Sequence, residues 1–344
     1  RQRQMCIRDR VREAKDRVRV AIKNSGIELT PQKIVINISP ANIRKEGTIY
    51  DLPIAIGILA ANGCFDLKIL ENVLIIGEVS LDGSINPVKG VLPMVCAAKE
   101  AGIDNCIIPK ANIAEGRIIN NINIYGVETL SQTIEILKNI AVIDGSRKNI
   151  KQADVKSGEC NKSDGNINND TYNVLERSRV KFTYGSEVKN NNHSCSYNID
   201  YSDISGQEAA KRATMIAVSG MHNIMYIGPP GSGKTMLAQR IPTIMPDMDY
   251  EEQLRLTKIY SVAGLLDSEG GIMVKRPFRN PHHTITQAAL LGGGAVPRPG
   301  EITLSEGGVL FLDEMTEFNQ VIMEALRQPL EADSYTHLRA HETL

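Results

Sequence analysis

Three glycines, two prolines, a lysine and two hydroxyls are packed into Gly228-Pro229-Pro230-Gly231-Ser232-Gly233-Lys234-Thr235. Such a run suits a polyphosphate, whose dense negative charge must be met by groups that come close without clashing. Gly228, Gly231 and Gly233 let successive backbone N–H groups curl round a β-phosphate, with Ser232 among them and Met236 in the first turn of the helix that follows. Lys234 supplies a mobile positive charge for the β- and γ-phosphates, and the Thr235 hydroxyl is a ligand for Mg2+. Pro229 and Pro230 stiffen the entrance. The G-x-x-x-x-G-K-T pattern stands between Ile224-Met-Tyr-Ile227, which reads as a buried strand, and Met236-Leu-Ala-Gln-Arg-Ile241, which reads as a helix. That setting distinguishes a phosphate loop from a glycine-rich chain reversal.

A second motif supplies the acids. Val309-Leu-Phe-Leu312 is a continuous apolar run after Gly308, the pattern of a central parallel strand buried on both faces. Asp313 and Glu314 emerge at its carboxyl end, where open α/β sheets bind ligands. Asp313 is the expected carboxylate of the Mg2+ shell. Glu314 is the expected group that orients or deprotonates an attacking water, with Lys234 as its catalytic companion. Two acids alone mark only a solvated strand end; beside a phosphate loop they predict ATP binding and hydrolysis with Mg2+.

From Gly271 to Gly300 there is no acidic residue, whereas Lys275, Arg276, Arg279 and Arg298 are basic and His282 and His283 lie among them. Basic groups on a glycine-rich segment are candidates for reversible phosphate contact, and Arg298 beside Gly292-Gly-Gly294 is the preferred one. The competing reading makes Arg276 and Arg279 ion-pair partners within or between subunits and the histidines packing or capping groups. Adjacent histidines on a helix diverge, which argues against a metal pair.

These groups need a scaffold. At 344 residues and 42 % hydrophobic content the chain can bury a large core over about two domains. Net charge is −1, so charge alone announces no nucleic-acid partner. The longest apolar stretch, Leu52 to Ala61, is far short of a membrane span, and no secretory signal is evident in the arginine-rich start. Six cysteines without C-x-x-C spacing read as reduced thiols of a cytoplasmic protein.

Along the chain, helical spacing from Val11 ends near Gly26, Lys33–Ile38 alternates as a strand, and Asp51 with Pro53 opens a helix that ends at Asn62-Gly63. A strand at Val73–Ile76 and a turn at Leu81-Asp-Gly83 follow. Helices over about Leu92–Ala101 and Thr129–Ile140 and strands at Cys106–Ile108 and Ile122–Tyr125 complete an α/β domain over 11–144. Periodicity then gives way to an Asn/Ser-rich linker over 145–199, with one marginal strand near Val180–Tyr184. Regular patterning resumes near residue 200.

The strings Asp203-Ile-Ser-Gly206-Gln-Glu-Ala-Ala-Lys-Arg212, His222-Asn223, Arg276-Pro-Phe-Arg-Asn-Pro-His-His-Thr284, Pro297-Arg-Pro-Gly-Glu301 and Glu324-Ala-Leu-Arg-Gln-Pro-Leu330, together with the two motifs above, resemble the magnesium-chelatase-like AAA+ ATPases of the YifB/ComM branch. The resemblance runs from about Val11 to Asp333, the linker apart. It implies a three-layer α/β AAA+ core over 200–333, related to the motor of magnesium chelatase and to replicative helicases. It also implies a ring oligomer, a hexamer, that acts on branched DNA in transformation or recombination.

The N-terminal domain is similar to the proteolytic domain of Lon-type proteases, an α+β fold of the ribosomal S5 domain 2-like kind. That family uses a serine and lysine dyad. Laying its pattern on Lys45-Glu46-Gly47 and Val88-Lys-Gly90 puts the nucleophile near Ile49 and the lysine near Leu92, and neither residue can do that chemistry. Ser39, Ser80 and Ser84 have no argued base. The domain is therefore read as catalytically silent.

Residues 1–10 and 334–344 do not continue the family pattern and are expected to be non-native extensions. The family's later sensor, trans-acting arginine and helical lid would follow Asp333, so the AAA+ core is read as incomplete, binding ATP with poor turnover. Two alternatives stay open: a chelatase motor subunit acting on a porphyrin, and a non-hydrolysing interaction module.

Overall fold

The computed structural model describes residues 14, 16–29, 34–36, 48–140, 197–266, 271–294 and 297–331. The expected terminal extensions, the linker up to residue 196 with its marginal strand, and Ser39 with Lys45-Glu46-Gly47 lie outside these residues. Those described fall into two compact units, one over 14–140 with residue 271 and one over 197–266 and 272–331.

In the first unit, helix α1 (16–24) turns its apolar positions Val18, Ala21 and Ile22 inward and stops at Gly26, where φ is +79° and the Gly26 N–H bonds the Lys23 carbonyl. Helix α2 (Asp51–Ala61) follows, with strands β1 (Val73–Ile75), β2 (Glu78–Val79) and β3 (Ile85–Asn86). Helix α3 (Val91–Glu100), strand β4 (Asn105–Pro109), helix α4 (Ile113–Gly116), strand β5 (Asn123–Val127) and helix α5 (130–140) complete the unit.

The central sheet has the order β1-β4-β5 and is parallel throughout, Val73 pairing Asn105 and Asn105 pairing Asn123. Helices α3 and α4 provide the crossovers that parallel neighbours require. Strand β4 is buried along its whole length, and period-2 alternation sends its side chains to opposite layers. Ile107 joins the core formed by α1, α2 and α5, whereas Ile108 lies under α4, within 2.7 Å of where a Cβ on Gly116 would stand. Strands β2 and β3 form a separate antiparallel pair.

Two local expectations are corrected here. Residues 34–36 carry no strand. Asp51 is the first residue inside α2 rather than its cap; Tyr50 occupies that position without a side-chain bond. The Asp51 carboxylate is instead buried, bidentate with Arg17 at 2.9 and 3.3 Å, and ties α1 to α2. Burial outweighs Arg17 and lifts its pKa above the ordinary 3.8.

The second unit carries α6 (Glu208–Ser219), α7 (Lys234–Gln239) and α8 (Tyr250–Ala263), then strand β6 (Phe278–Arg279) and helix α9 (Gln287–Leu291). The hairpin strands β7 (Gly292–Gly293) and β8 (Arg298–Pro299), helix α10 (Glu301–Leu304), strand β9 (Val309–Leu310) and helix α11 (Gln320–Glu331) follow. Helix α8 starts in a reciprocal capping box: Asp249 accepts the Glu252 N–H at 2.7 Å and Glu252 accepts the Asp249 N–H at 3.2 Å. It ends at Gly264 with φ +70°.

Strands β6 and β9 are parallel partners, and the Phe311 N–H extends the ladder to the Arg279 carbonyl. The apolar run 309–312 is only half-buried, because β6 is its one strand partner among the described residues. Ile224–Ile227 departs further from expectation. It forms no strand, and Met225 and Ile227 are 70 % and 87 % exposed. Apolar composition gives a segment the capacity to be buried, but burial needs a neighbour on the edge and a layer on the face. What holds this segment is Tyr226, whose hydroxyl meets Thr214 Oγ1 on α6 at 2.7 Å and whose ring packs on the Tyr201, Ile204 and Leu237 cluster.

The fold is thus mixed α/β with parallel sheet strands. No described helix is long and apolar enough to cross a membrane.

Candidate functional site

The loop at 228–233 leaves Tyr226 and delivers the chain into α7. Gly231 and Gly233 have φ of +79° and +84°, left-handed values that a side chain disfavours, and a Cβ on either would project into open space. Gly228 lies against Ser232, whose Oγ is 3.1 Å from a Cβ built there. Pro229 accepts the Ser232 N–H at 3.3 Å, which closes the loop on itself, and Pro230 stands exposed at its tip. The first-turn N–H groups of Lys234, Thr235 and Met236 lack intrahelical acceptors, as at any helix start, and the Gly233 cap position offers no side chain to meet them.

Lys234 folds over the loop, its Nζ donating to the carbonyls of Gly228 at 2.9 Å and Pro229 at 3.0 Å. The Thr235 hydroxyl donates to Asp313 Oδ2 at 3.3 Å. Two motifs far apart in sequence therefore meet at one point. Asp313 Oδ1 also accepts the Glu314 N–H at 3.0 Å. Glu314 is exposed and left-handed, with φ +51° and ψ +52°, and starts the short turn Met315–Glu317. A hydroxyl beside a carboxylate is the hard oxygen donor set that suits Mg2+, and the free amides with Lys234 suit phosphate oxygens. These residues fit both groups.

The four basic candidates divide by environment. Arg276 is buried at 7 % exposure and donates through Nε to the Pro246 carbonyl at 2.7 Å and through Nη1 to the Gly307 carbonyl at 2.5 Å. Its Nη2 reaches Glu252 at 3.4 Å. Arg279 is held by both oxygens of Glu301, a pairing that keeps its guanidinium charged. These two arginines support the packing of α8 and α10, as the competing reading had it. Lys275 is exposed, its ammonium 5.8 Å from the Tyr197 ring centre. Arg298 is exposed on β8.

The hairpin that bears Arg298 is built on glycine. Gly292, Gly293 and Gly294 have φ of +91°, +105° and +99°, and a Cβ on Gly300 would fall 2.2 Å from the Gly292 nitrogen. The His282 and His283 rings lie 4.0 Å apart, tilted by 35°, and His283 meets the Phe318 ring edge-on at 6.5 Å. Sequence reasoning missed this contact and the Glu301 clasp on Arg279, since nothing in linear spacing links 283 to 318 or 279 to 301. The acid-free stretch was the only available hint that its arginines must find acids elsewhere.

In the first unit, the positions aligned with the protease dyad hold a half-buried Ile49 and a fully buried Leu92. The Leu92 N–H donates to the buried Glu115 carboxylate at 2.8 Å, and Asn112 bridges Glu115 to the Val88 backbone. A helix anchor stands there.

A family model described as "Magnesium chelatase, subunit ChlI" matches residues 200–344, and one described as "Subunit ChlI of Mg-chelatase" matches residues 6–112. The chain is 36 % identical over 333 residues to the competence protein ComM of Haemophilus influenzae, covering 96 % of this chain and 58 % of that protein. It is 37 % identical over 322 residues to the YifB protein of Escherichia coli, covering 94 % and 55 % respectively. Lon protease 2 of Bacillus subtilis is 32 % identical over 140 residues, 38 % of this chain and 25 % of the protease. The chain thus spans little more than half the length of its long-matching relatives. The phosphate-loop unit, the Lon-like unit that precedes it, and identity to ComM and YifB over nearly the whole chain place it in the magnesium-chelatase-like ComM/YifB family.

Proposed function

We propose that the protein is an ATP-driven AAA+ motor that acts on DNA. The observation that carries this reading is the Thr235 to Asp313 hydrogen bond, which sets the phosphate loop and the acid pair against each other. The loop amides of 231–236 and the Lys234 ammonium bind the phosphates, and Lys234 exchanges its bonds to the Gly228 and Pro229 carbonyls for phosphate oxygens. Mg2+ held by Thr235 and Asp313 would neutralise charge on the β- and γ-oxygens. Glu314, exposed beside Asp313, takes a proton from the attacking water and orients it towards the γ-phosphorus.

The DNA part of the reading rests on the exposed Arg298 of the glycine hairpin, with Lys275 in support, and on the competence protein among the relatives. Arg276 and Arg279 have no part in it. Ring assembly into a hexamer, a cytoplasmic location, a silent Lon-like domain over 11–144 and a motor core over 200–333 complete the proposal.

The test is ATPase activity of the full-length protein with branched DNA at rising salt. Stimulation that falls steeply with ionic strength is expected. Stimulation by a porphyrin instead would identify a chelatase motor, which the family description favours as the second reading. Response to neither would leave an interaction module.

A further inference from the structure

Glu314 holds a left-handed backbone conformation that non-glycine residues disfavour, so its surroundings must impose it. On its N-terminal side the constraint is Asp313, bonded to Thr235 and to the Glu314 N–H. On its C-terminal side the turn closes through the Glu317 N–H on the Glu314 carbonyl at 2.8 Å and ends at Phe318, which is 6 % exposed. Phe318 packs with Leu290, Ile322 and Leu326. One face of this anchor is supplied from the acid-free stretch. His283 presents its ring to Phe318 at an interplanar angle of 77° and is backed by His282. His282 is in turn fixed at Nδ1, which accepts the Thr284 N–H at 3.4 Å and lies 2.9 Å from the Thr284 hydroxyl.

We propose that His283 is a positioning residue for ATP hydrolysis. Through Phe318 it holds the turn that places Glu314 beside Asp313, and it touches neither nucleotide nor water itself. Its edge-to-face geometry specifies the Phe318 ring plane, a directional restraint that the aliphatic members of the same cluster do not give. Leu290 of this cluster stands in the last turn of α9, two residues before Gly292, so the root of the Arg298 hairpin and the Glu314 turn share one buried anchor. The inference rests on the reading of Glu314 given above.

The experiment uses the full-length protein and compares His283→Ala, His283→Phe and Glu314→Gln for nucleotide binding and steady-state ATPase kinetics. For His283→Ala we expect kcat to fall about tenfold or more while KM and nucleotide Kd stay within about threefold. His283→Phe, which keeps an aromatic edge, restores kcat to within about threefold of the parent. Wild-type kcat in His283→Ala overturns the proposal. So does a joint loss of nucleotide binding and rate in both His283 variants, which marks a merely structural residue, or an inactive His283→Phe that still binds nucleotide. Undiminished hydrolysis by Glu314→Gln sinks the underlying reading and this inference with it. A dead Glu314→Gln beside a fully active His283→Ala sinks the inference alone.

Discussion

Arg279 and Glu301 face each other fork to fork, Nε to Oε2 at 2.6 Å and Nη2 to Oε1 at 2.7 Å. A guanidinium engaged on both prongs is already spent as a phosphate ligand. The basic stretch therefore splits into arginines that hold the protein together and cations that face outward.

This split predicts opposite phenotypes. Arg276→Ala leaves the Pro246 and Gly307 carbonyls without their donor and should cost about 3 kcal/mol of stability, read as a lowered urea midpoint. Arg298→Ala should leave that midpoint unchanged and weaken DNA binding across sequences, reducing the slope of log K against log salt by about one. An unaltered salt slope would remove Arg298 from the DNA interface.

At the nucleotide site, Lys234→Ala should weaken ATP binding by about 100-fold, the scale of losing one charge-assisted contact to phosphate in a tight site. Glu314→Gln should bind ATP normally and lose about 10² to 10³ in kcat, as expected for a missing general base. Equilibrium titration with a fluorescent ATP analogue and phosphate release measure the two effects separately. Normal affinity in Lys234→Ala would refute the phosphate-loop assignment.

Asp51 should make the N-terminal unit's stability depend on pH in an unusual direction for a carboxylate. Its folded pKa is raised above 3.8 chiefly by burial, so between 3.8 and the folded value the folded protein keeps a proton that the unfolded chain has released. Stability from this group is fully present below that window and is lost as pH rises through it. Asp51→Asn cannot titrate. Wild type should therefore lose stability relative to the variant as pH climbs from 3.8, measured as the difference in urea midpoints; a constant difference would contradict the assignment.

Burial pushes the Cys106 thiol up to about 12. At pH 8 its thiolate fraction is then on the order of 10⁻⁴, and a disulfide reagent should label it only after unfolding. Cys64 is half-buried and should react before Cys106 in the native protein. Mass spectrometry of the time course separates the two, and early labelling at Cys106 would contradict the buried assignment.

Elements with strong local signals were legible in the sequence. Helix α2 ends where Asn62-Gly63 said it would, and β1, α3, β4, β5 and α5 fall within a residue or two of their apolar periods. Such signals depend on residues a few positions apart. The failures depend on distant neighbours. Ile224–Ile227 has the composition of an interior strand, yet pairing is a property of two segments and cannot be read from one. Asp51 looked like a cap because caps are its commonest use; its buried partnership with Arg17 needs α1 to be in place. At the candidate site, the residue types were legible and their mutual distances were not. The charge of Arg276 left an outward contact and an ion pair both open, and only folding reveals that carbonyls of Pro246 and Gly307 consume it.

The exposed ribbon at Ile224–Ile227 has a thermodynamic consequence for the loop that follows. Among the described residues its tethers are the Tyr226 hydroxyl and ring, so the loop proposed to grip phosphate grows from a root held through one side chain. In the proposed nucleotide complex, part of the binding free energy would go into stiffening that root, and the affinity would fall short of what the loop's contacts alone would give. A strand laid along this ribbon would raise that affinity without touching the nucleotide.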